Sequence, residues 1–514
     1  MNRPDMIVAV ILLNVALAAG TAERGIAAAA GELVVAQDQF VQRFDPLEMV
    51  ALSEYPHLGL LFDGLFNLGP NGQQPALATD VRVAANGLSM DFILRKGVRF
   101  HNGDPFTGED VQFTYEQILS PKSTHSYRKG FQETLAKVQV VDPYHVRFHL
   151  KKPWPTFFTA ARNGIQPIVP KRYYERVGPA AFKKQPVGTG PFRLEEMKTG
   201  EWTRFTATPD YWGARGDVRT ITLRLVSEPL TRFAMLARGE ADMITGLTGQ
   251  LLKEVRGNPS LKVILAPHAG TSYLTFNRRT NPEFNDRRVR LSVAHAVDRP
   301  GIVDAILNGV CEVASEHFTP ATFGHAGGTK PVPYDPDRSR ALLKEAGFTP
   351  GQPADFVIHT QSFAALPSTP QVLEAIAGNL EAVGFRLRRQ TFESGALLSA
   401  WRSHAVAGIS YGVTSIPDDG GLMMDAWFTS TGVFSNEIKV PAYDGLFNRQ
   451  LNEASSDKRR ALLQEWSRME AERLEAVSLF WCGSPFGIGP RVKEWRPGLG
   501  SGYHLNLHLL KLAR

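Results

Sequence analysis

Ser484 is the nearest approach to a hydrolytic nucleophile in this chain, in Gly483-Ser484-Pro485-Phe486-Gly487. The serine stands one position early for Gly-x-Ser-x-Gly, so the sharp turn that presents such a hydroxyl is not encoded. Gly188-Thr189-Gly190 lacks a following Gly-Lys-Ser/Thr, and so makes no phosphate-cradling loop. The 13 histidines include no His-Glu-x-x-His, and there is no Cys-x-x-Cys. His504 and His508 would share one face of a strand, but a zinc site usually gathers three or four ligands. His317 and His325 bracket a glycine-rich loop, and spacing alone assigns them no metal. The remaining chemistry is that of binding. Trp401, Tyr411 and Trp427 flank an acidic, glycine-rich segment, and aromatic side chains offer area, stacking and a polar edge at modest entropic cost.

Elements of both periods alternate along the chain, which predicts an α/β architecture. Leu33 to Ala36 reads as a strand. In the stretch 88 to 94, Leu88, Met90, Phe92 and Leu94 share one face. Asn102-Gly103 and Asp104-Pro105 turn the chain, and Thr107 with Asp110 starts a helix. Asp286, Asp298 and Asp335 each read as a helix cap, the last two followed by proline in the first turn. Pro370 opens a helix to about Ala382, Gly384 stops it, and Phe385 to Phe392 is a strand. A long helix is predicted near Lys458 to Ala476, and alternation over 503 to 511 predicts a closing strand.

The 514 residues are 43% hydrophobic and 21% charged, an ordinary globular composition long enough for two or three domains. The formal charge is +6, scattered among acids, so no basic face for nucleic acid is predicted. Residues 1–30 read as a secretory signal. Met6 to Ala19 is apolar except for Asn14, too short to span a membrane, with small-residue cleavage options at Ala16–Ala18 and Ala28–Ala30. No cysteine near the start offers a lipid anchor. Cys311 and Cys482 could pair in an oxidising compartment or remain two buried thiols; spacing leaves both open.

Six segments then occur in an order that resembles one family. They are Phe44-Asp45-Pro46 with Leu61-Phe62-Asp63-Gly64-Leu65; the stretch 92–111; Pro186-Val187-Gly188-Thr189-Gly190-Pro191-Phe192 followed by Tyr211-Trp212; Tyr273-Leu274-Thr275-Phe276-Asn277; Asp286 to Arg290 with Ala296-Val297-Asp298-Arg299; and Leu342 to Phe348. Together they resemble the peptide/nickel-type (dipeptide/oligopeptide, family 5) extracytoplasmic solute-binding proteins of ABC importers. The resemblance implies an α/β, two-lobed periplasmic-binding-protein fold with a hinge, in its large variant. One lobe would comprise 31–72, 187–270 and 481–514, with a subdomain 73–186 inserted, and the second lobe 271–480. It implies a carrier rather than an enzyme, with no cofactor. A soluble periplasmic monomer would deliver a peptide, opine-like compound or metal chelate to a membrane permease; the alternatives are a chemosensory or regulatory receptor on the same fold and, outside binding, a periplasmic hydrolase.

In the peptide-binding branch an aspartate pairs with the ligand's amine, and the matching segment here is Ile416-Pro417-Asp418-Asp419-Gly420-Gly421. The resemblance puts Asp418 on that aspartate, and Asp419 replaces the usual asparagine. A carboxylate buried there would call for a cation. Dipeptide binders hold the ligand carboxylate with an arginine just before the helix at Pro370, and Thr360 to Leu366 contains none, which argues against a simple dipeptide clamp. Gln39 and Phe40, after the first strand, and Tyr273, at the crossover between lobes, complete the expected site.

Overall fold

A computed structural model describes residues 31–38, 44–48, 54–69, 72–125, 128–157, 166–247, 249–360, 368–392, 399–401, 403–415, 419–432, 434–435, 438–498 and 505–513. The expected secretory signal therefore lies outside the described residues. Among these residues no helix is long and apolar enough to cross a membrane.

One sheet of eleven strands runs through the molecule. Its order is Phe385–Thr391, Ala354–Thr360, Ile409–Ser415, Lys262–Phe276, Ala476–Ile488, Met243–Ile244, Glu32–Gln37, Thr220–Leu225, Trp202–Ala207 and Phe192–Lys198, with Cys311–Val313 also pairing to Ala476–Ile488. The two longest strands, Lys262–Phe276 and Ala476–Ile488, hold it together. They pair antiparallel from Lys262↔Ile488 to Ala266↔Ser484, lose register, and resume from Gly270↔Cys482 to Thr275↔Ala476 with a second, smaller shift between Ser272 and Tyr273. The first stretch lies beside Met243–Ile244, and the second beside Ile409–Ser415. Two strands with an irregular break between Ala266 and Gly270 are thus what joins the two ends of the sheet.

A separate antiparallel sheet, Ala78–Val83, Ser89–Leu94, His145–Leu150 and Leu135–Asp142, shares its apolar core with one end of the main sheet: Phe92 and Phe148 belong to the same buried cluster as Leu33, Phe205 and Ile221. The helix Gly108–Leu119 packs on this smaller sheet, begun as expected, with the Asp110 carboxylate accepting from the Thr107 amide at 2.9 Å. Met90, Phe92 and Leu94 point inward, but Leu88 is 41% exposed. The Asn86 side chain takes the Leu88 amide at 3.0 Å, so the turn extends one residue further and the strand begins at Ser89.

Two of the recognised motifs turn out to build a single buried node. Asp63 is 1% exposed and accepts from Asn67 at 2.7 Å, Thr189 at 3.0 Å, the Trp212 indole at 3.0 Å and the Tyr211 hydroxyl at 3.1 Å. Burial pushes its pKa up to about 6, and the four donors pull it back. Gly188 and Gly190 flank Thr189 because there is no room for a side chain: an added Cβ would lie 2.0 Å from the Leu61 carbonyl oxygen at one and 2.4 Å from the Leu61 carbonyl carbon at the other. The Gly-Thr-Gly turn is therefore cement between segments rather than a ligand loop.

Asp286 and Asp298 cap their helices through the amides of Arg288 and Gly301, and Asp335 caps Pro336–Glu345 through the Arg338 amide. Gly384 takes φ +110° after the helix Thr369–Ala382. Two expectations need correction. The long helix spans Ser456–Arg473 and ends where Leu474 turns left-handed at φ 53°, which frees Ala476 to enter the long strand. Among the described residues, 505–511 do not form the expected strand: Leu507–Leu509 is a 3-10 turn entered through left-handed Asn506, and Lys511–Leu512 pairs with Val492–Glu494. His508 lies in that turn, so the proposed strand face shared with His504 is absent; His504 itself lies outside the described residues. Cys311 and Cys482 face each other across adjacent strands and form a disulfide.

Candidate functional site

Where the long strand Lys262–Phe276 passes into the second half of the sheet, Tyr273 stands opposite Gly412. The glycine lets the tyrosine ring lie flat over the neighbouring strand; a Cβ there would sit 2.6 Å from the ring. The Tyr273 hydroxyl and Thr414 Oγ1 are 2.6 Å apart in a hydrogen bond. Burial raises the Tyr273 pKa, so the phenol stays neutral. Its ring meets His317 at 4.9 Å and Trp427 at 5.4 Å, and Trp427 in turn meets Trp401 at 5.4 Å and Phe434 at 4.6 Å. Three of the expected aromatics, Tyr273, Trp401 and Trp427, thus form one cluster. The Trp401 indole nitrogen is buried and has no hydrogen-bond partner among the described residues.

Tyr411 goes elsewhere. It packs with Leu274 and Ile409 in the core on the opposite side of the sheet, as alternation from Gly412 requires. Gln39, Phe40 and Asp418 lie outside the described residues, as does most of the segment before Pro370.

Asp419 is buried at 0% exposure, and its charge is answered within the protein. Arg459 grips it with both terminal nitrogens, Nη1 to Oδ2 at 2.5 Å and Nη2 to Oδ1 at 2.7 Å, and gives Nε to Gln450 Oε1 at 2.9 Å. Asp419 Oδ1 also accepts from the Gly421 amide at 2.9 Å and so caps the helix Gly420–Trp427, which carries Trp427. The argument that a buried carboxylate here calls for a ligand cation thus loses its premise at Asp419. The glycines after it are steric necessities. A Cβ on Gly420 would lie 2.3 Å from Phe318, and one on Gly421 would lie 2.8 Å from both Arg459 and Gln450.

Three contributors are not among the expected site residues, although His317 stands out beside its glycine-rich loop. Arg459 and Gln450 come from two later helices, and His317 from a loop. His317 is 2% exposed, binds Ser478 Oγ through Nδ1 at 2.6 Å, and is kept neutral by burial, which lowers its pKa to about 3. Glu316 beside it is buried and takes the amides of Ala326 and Gly327 at 3.0 and 2.9 Å, fixing the glycine-rich loop. Among the described residues no three His, Cys, Asp or Glu side chains are grouped to hold a metal. Tyr273, Trp401 and Trp427 are all buried, and with a few fixed hydrogen-bonding atoms beside them they form the candidate site as a packed aromatic cluster.

Comparison with known proteins agrees with this. Residues 72–435 match the family described as bacterial extracellular solute-binding proteins, family 5 Middle. Heme-binding protein A of Haemophilus influenzae is 29% identical over 64% of this chain; the match spans 63% of that protein, a little under two thirds. Di/tripeptide-binding protein 2 of Pseudomonas aeruginosa is 28% identical over 77% of this chain and 78% of its own length. Among solved structures, HbpA2 from Haemophilus parasuis superposes with a TM-score of 0.84 at 21% identity, covering 94% of this chain and all of that one. NikA from Brucella suis, solved with Fe(III)-EDTA, gives 0.83 at 22% identity over 94% of this chain and 100% of that one. The fold is thus the two-lobed one, and the chain belongs to the family 5 bacterial extracellular solute-binding proteins.

Proposed function

We propose that this protein is the receptor of an ABC importer, closing its two lobes around one small solute and handing it to a membrane permease. The observation that carries the reading is the pair of long strands that join the lobes, with the Tyr273–Trp401–Trp427 cluster placed immediately beyond their register break. We place the lobe boundaries at that break, near 270 and 481. Bending two strands costs little packing, while closure excludes water and strengthens each polar contact to the ligand. The chain would work as a soluble monomer in the periplasm after loss of residues 1–30.

The ligand we favour carries an amine and a flat or apolar portion: a peptide longer than a dipeptide, an opine-like compound or a metal chelate. Asp418 would meet the amine, and Trp401 and Trp427 the flat portion. Relatives whose names or solved complexes specify di/tripeptides, Fe(III)-EDTA or mannopinic acid support that range. Arg459 has already claimed Asp419, which makes Asp419 a positioning residue for the Trp427 helix. Native mass spectrometry of protein isolated from its own periplasm, before and after mild unfolding, tests the reading. A released species of a few hundred daltons, bound one to one and chemically unchanged, is expected. Turnover of that species would refute the carrier assignment, and unaltered affinity in Asp418→Ala would remove Asp418 from the site.

A further inference from the structure

A cavity of about 660 Å³ opens where both long strands end in the second lobe, and it shares no residue with the aromatic cluster. Arg278 and Arg279 follow directly on the strand ending at Phe276. Arg473 and Glu475 immediately precede the strand starting at Ala476. Arg287 and Arg290 come from the helix Arg287–Ala296, and Lys439 from the turn before the helix Pro441–Leu451. Six basic side chains thus face one carboxylate among the described lining residues. That carboxylate is fully engaged: Glu475 receives Arg278 at 2.6 Å, Arg290 at 3.2 Å and Arg473 at 3.2 Å. Glu470, the nearby buried acid, is pushed up to about 8 by burial, so it adds little negative charge at neutral pH.

The arginines divide into two groups. Arg290 is buried and spends its guanidinium on the carbonyls of Phe284, Asn285, Arg473 and Leu474 and on Glu475; Arg278 is buried and bonded to Phe276 and Glu475. These two hold the walls. Arg279, Arg287 and Lys439 are exposed at the rim, where Arg287 gives Nε and Nη2 to the Glu472 carbonyl at 2.8 and 2.7 Å and keeps Nη1 for a ligand. Burial lowers the Arg278 pKa to about 10, with Glu475 raising it and the neighbouring Arg290 lowering it. Guanidinium forks match the oxygens of phosphate in pairs, and closely spaced cations favour an anion of more than one charge.

We propose that this cavity is a binding site for a soluble phosphate-bearing small molecule, with Arg279, Arg287 and Lys439 as its contacts and the Arg278–Glu475–Arg290 network as its rigid floor. The site is independent of the ligand held between the lobes. Isothermal titration at low ionic strength with inorganic phosphate, glycerol 3-phosphate and phosphatidylglycerol vesicles tests it. One-to-one binding of either soluble probe is expected. Arg279→Glu and Lys439→Glu, both at exposed positions, should each weaken it by about tenfold or more, as loss and reversal of a charged contact implies. Lys253→Glu, an exposed change outside the cavity, should leave it unaltered. No heat with either soluble probe, binding to vesicles alone, or equal weakening by all three substitutions would overturn the proposal.

Discussion

The Asp419–Arg459 pair separates a structural role from a ligand role, because the two predict opposite behaviour in the empty protein. Both side chains are almost wholly buried, 0% and 2% exposed, and joined by two short contacts. Asp419→Asn is the informative perturbation: asparagine caps a helix as well as aspartate does, so the cap at Gly421 survives and only the charge is lost. Arg459 is then a buried cation that has lost its carboxylate partner. Breaking a buried pair from one side costs about 3–5 kcal/mol. A lobe of about 200 residues loses roughly 2–4 °C for each kcal/mol, so its melting point should fall by about 6–20 °C. Calorimetry is the assay, since two lobes can melt as separate transitions. Arg459→Met should cost a similar amount. The double variant, which removes both charges, should recover at least half of the summed loss, because the two changes act on one interaction. If Asp419→Asn melts within about 2 °C of the parent, or if the two losses simply add, the pair is not a structural bond and Asp419 is free to serve a ligand.

Other outcomes follow from the same geometry. Gly421→Ala should destabilise the second lobe without changing any charge, because its Cβ would push into Arg459 and Gln450; calorimetry of the variant decides, and parent stability would refute the close approach. Asp63→Ala should cost more than about 3 kcal/mol by stranding four donors at about 1–3 kcal/mol each, measured by urea unfolding, whereas a loss under about 1 kcal/mol would remove the node from the stability of the first lobe. His317 supplies a pH dependence. The unfolded histidine takes a proton below about 6.5, the folded one only near 3, so its contribution to stability falls as pH drops through that window, by up to about 1.4 kcal/mol per pH unit. His317→Gln should therefore flatten the slope of stability against pH between about 6 and 5 by one proton, and an unchanged slope would show that the imidazole is not buried neutral. Replacing both Cys311 and Cys482 by serine should lower stability by about 2–5 kcal/mol, given the 171-residue separation they span; denaturant titration that finds no loss would deny the bond.

What could be read in the chain was what is decided within a few residues. Thr107 with Asp110, Asp335 with Pro336, and Gly384 after Ala382 each fix a helix end through their own neighbours, and each lies where the pattern places it. The failures occur where a local pattern meets a distant or slightly displaced constraint. Leu88 continues the alternation but loses its place to the Asn86 turn, and the closing segment alternates yet is bent by left-handed Asn506. The site itself was half legible. Aromatics near an acidic segment could be found by type, but no rule of spacing leads from Asp419 to Arg459, forty positions later on another helix, or from Tyr273 to His317. The basic cavity is the extreme case: its five arginines and one lysine come from four stretches of sequence, in each of which they look like ordinary solvated charges.

That distribution bears on how a fold of this kind changes its ligand. The family signatures at Asp63, Gly188–Gly190 and Tyr211–Trp212 are spent on one buried node far from the aromatic cluster in sequence, and the Asp286–Arg290 block on a helix cap and a network that braces the strand ends. Those contacts cannot vary without cost, since each leaves buried donors or charges unpaired when broken. The aromatic cluster is different in kind. Trp401, Trp427 and Phe434 touch one another through ring faces and edges, and such packing tolerates exchange of one apolar shape for another of similar volume. On the proposed reading, the cluster can be rebuilt for a different solute while the braced strand ends stay fixed, so the chain would declare its family along most of its length and its solute almost nowhere.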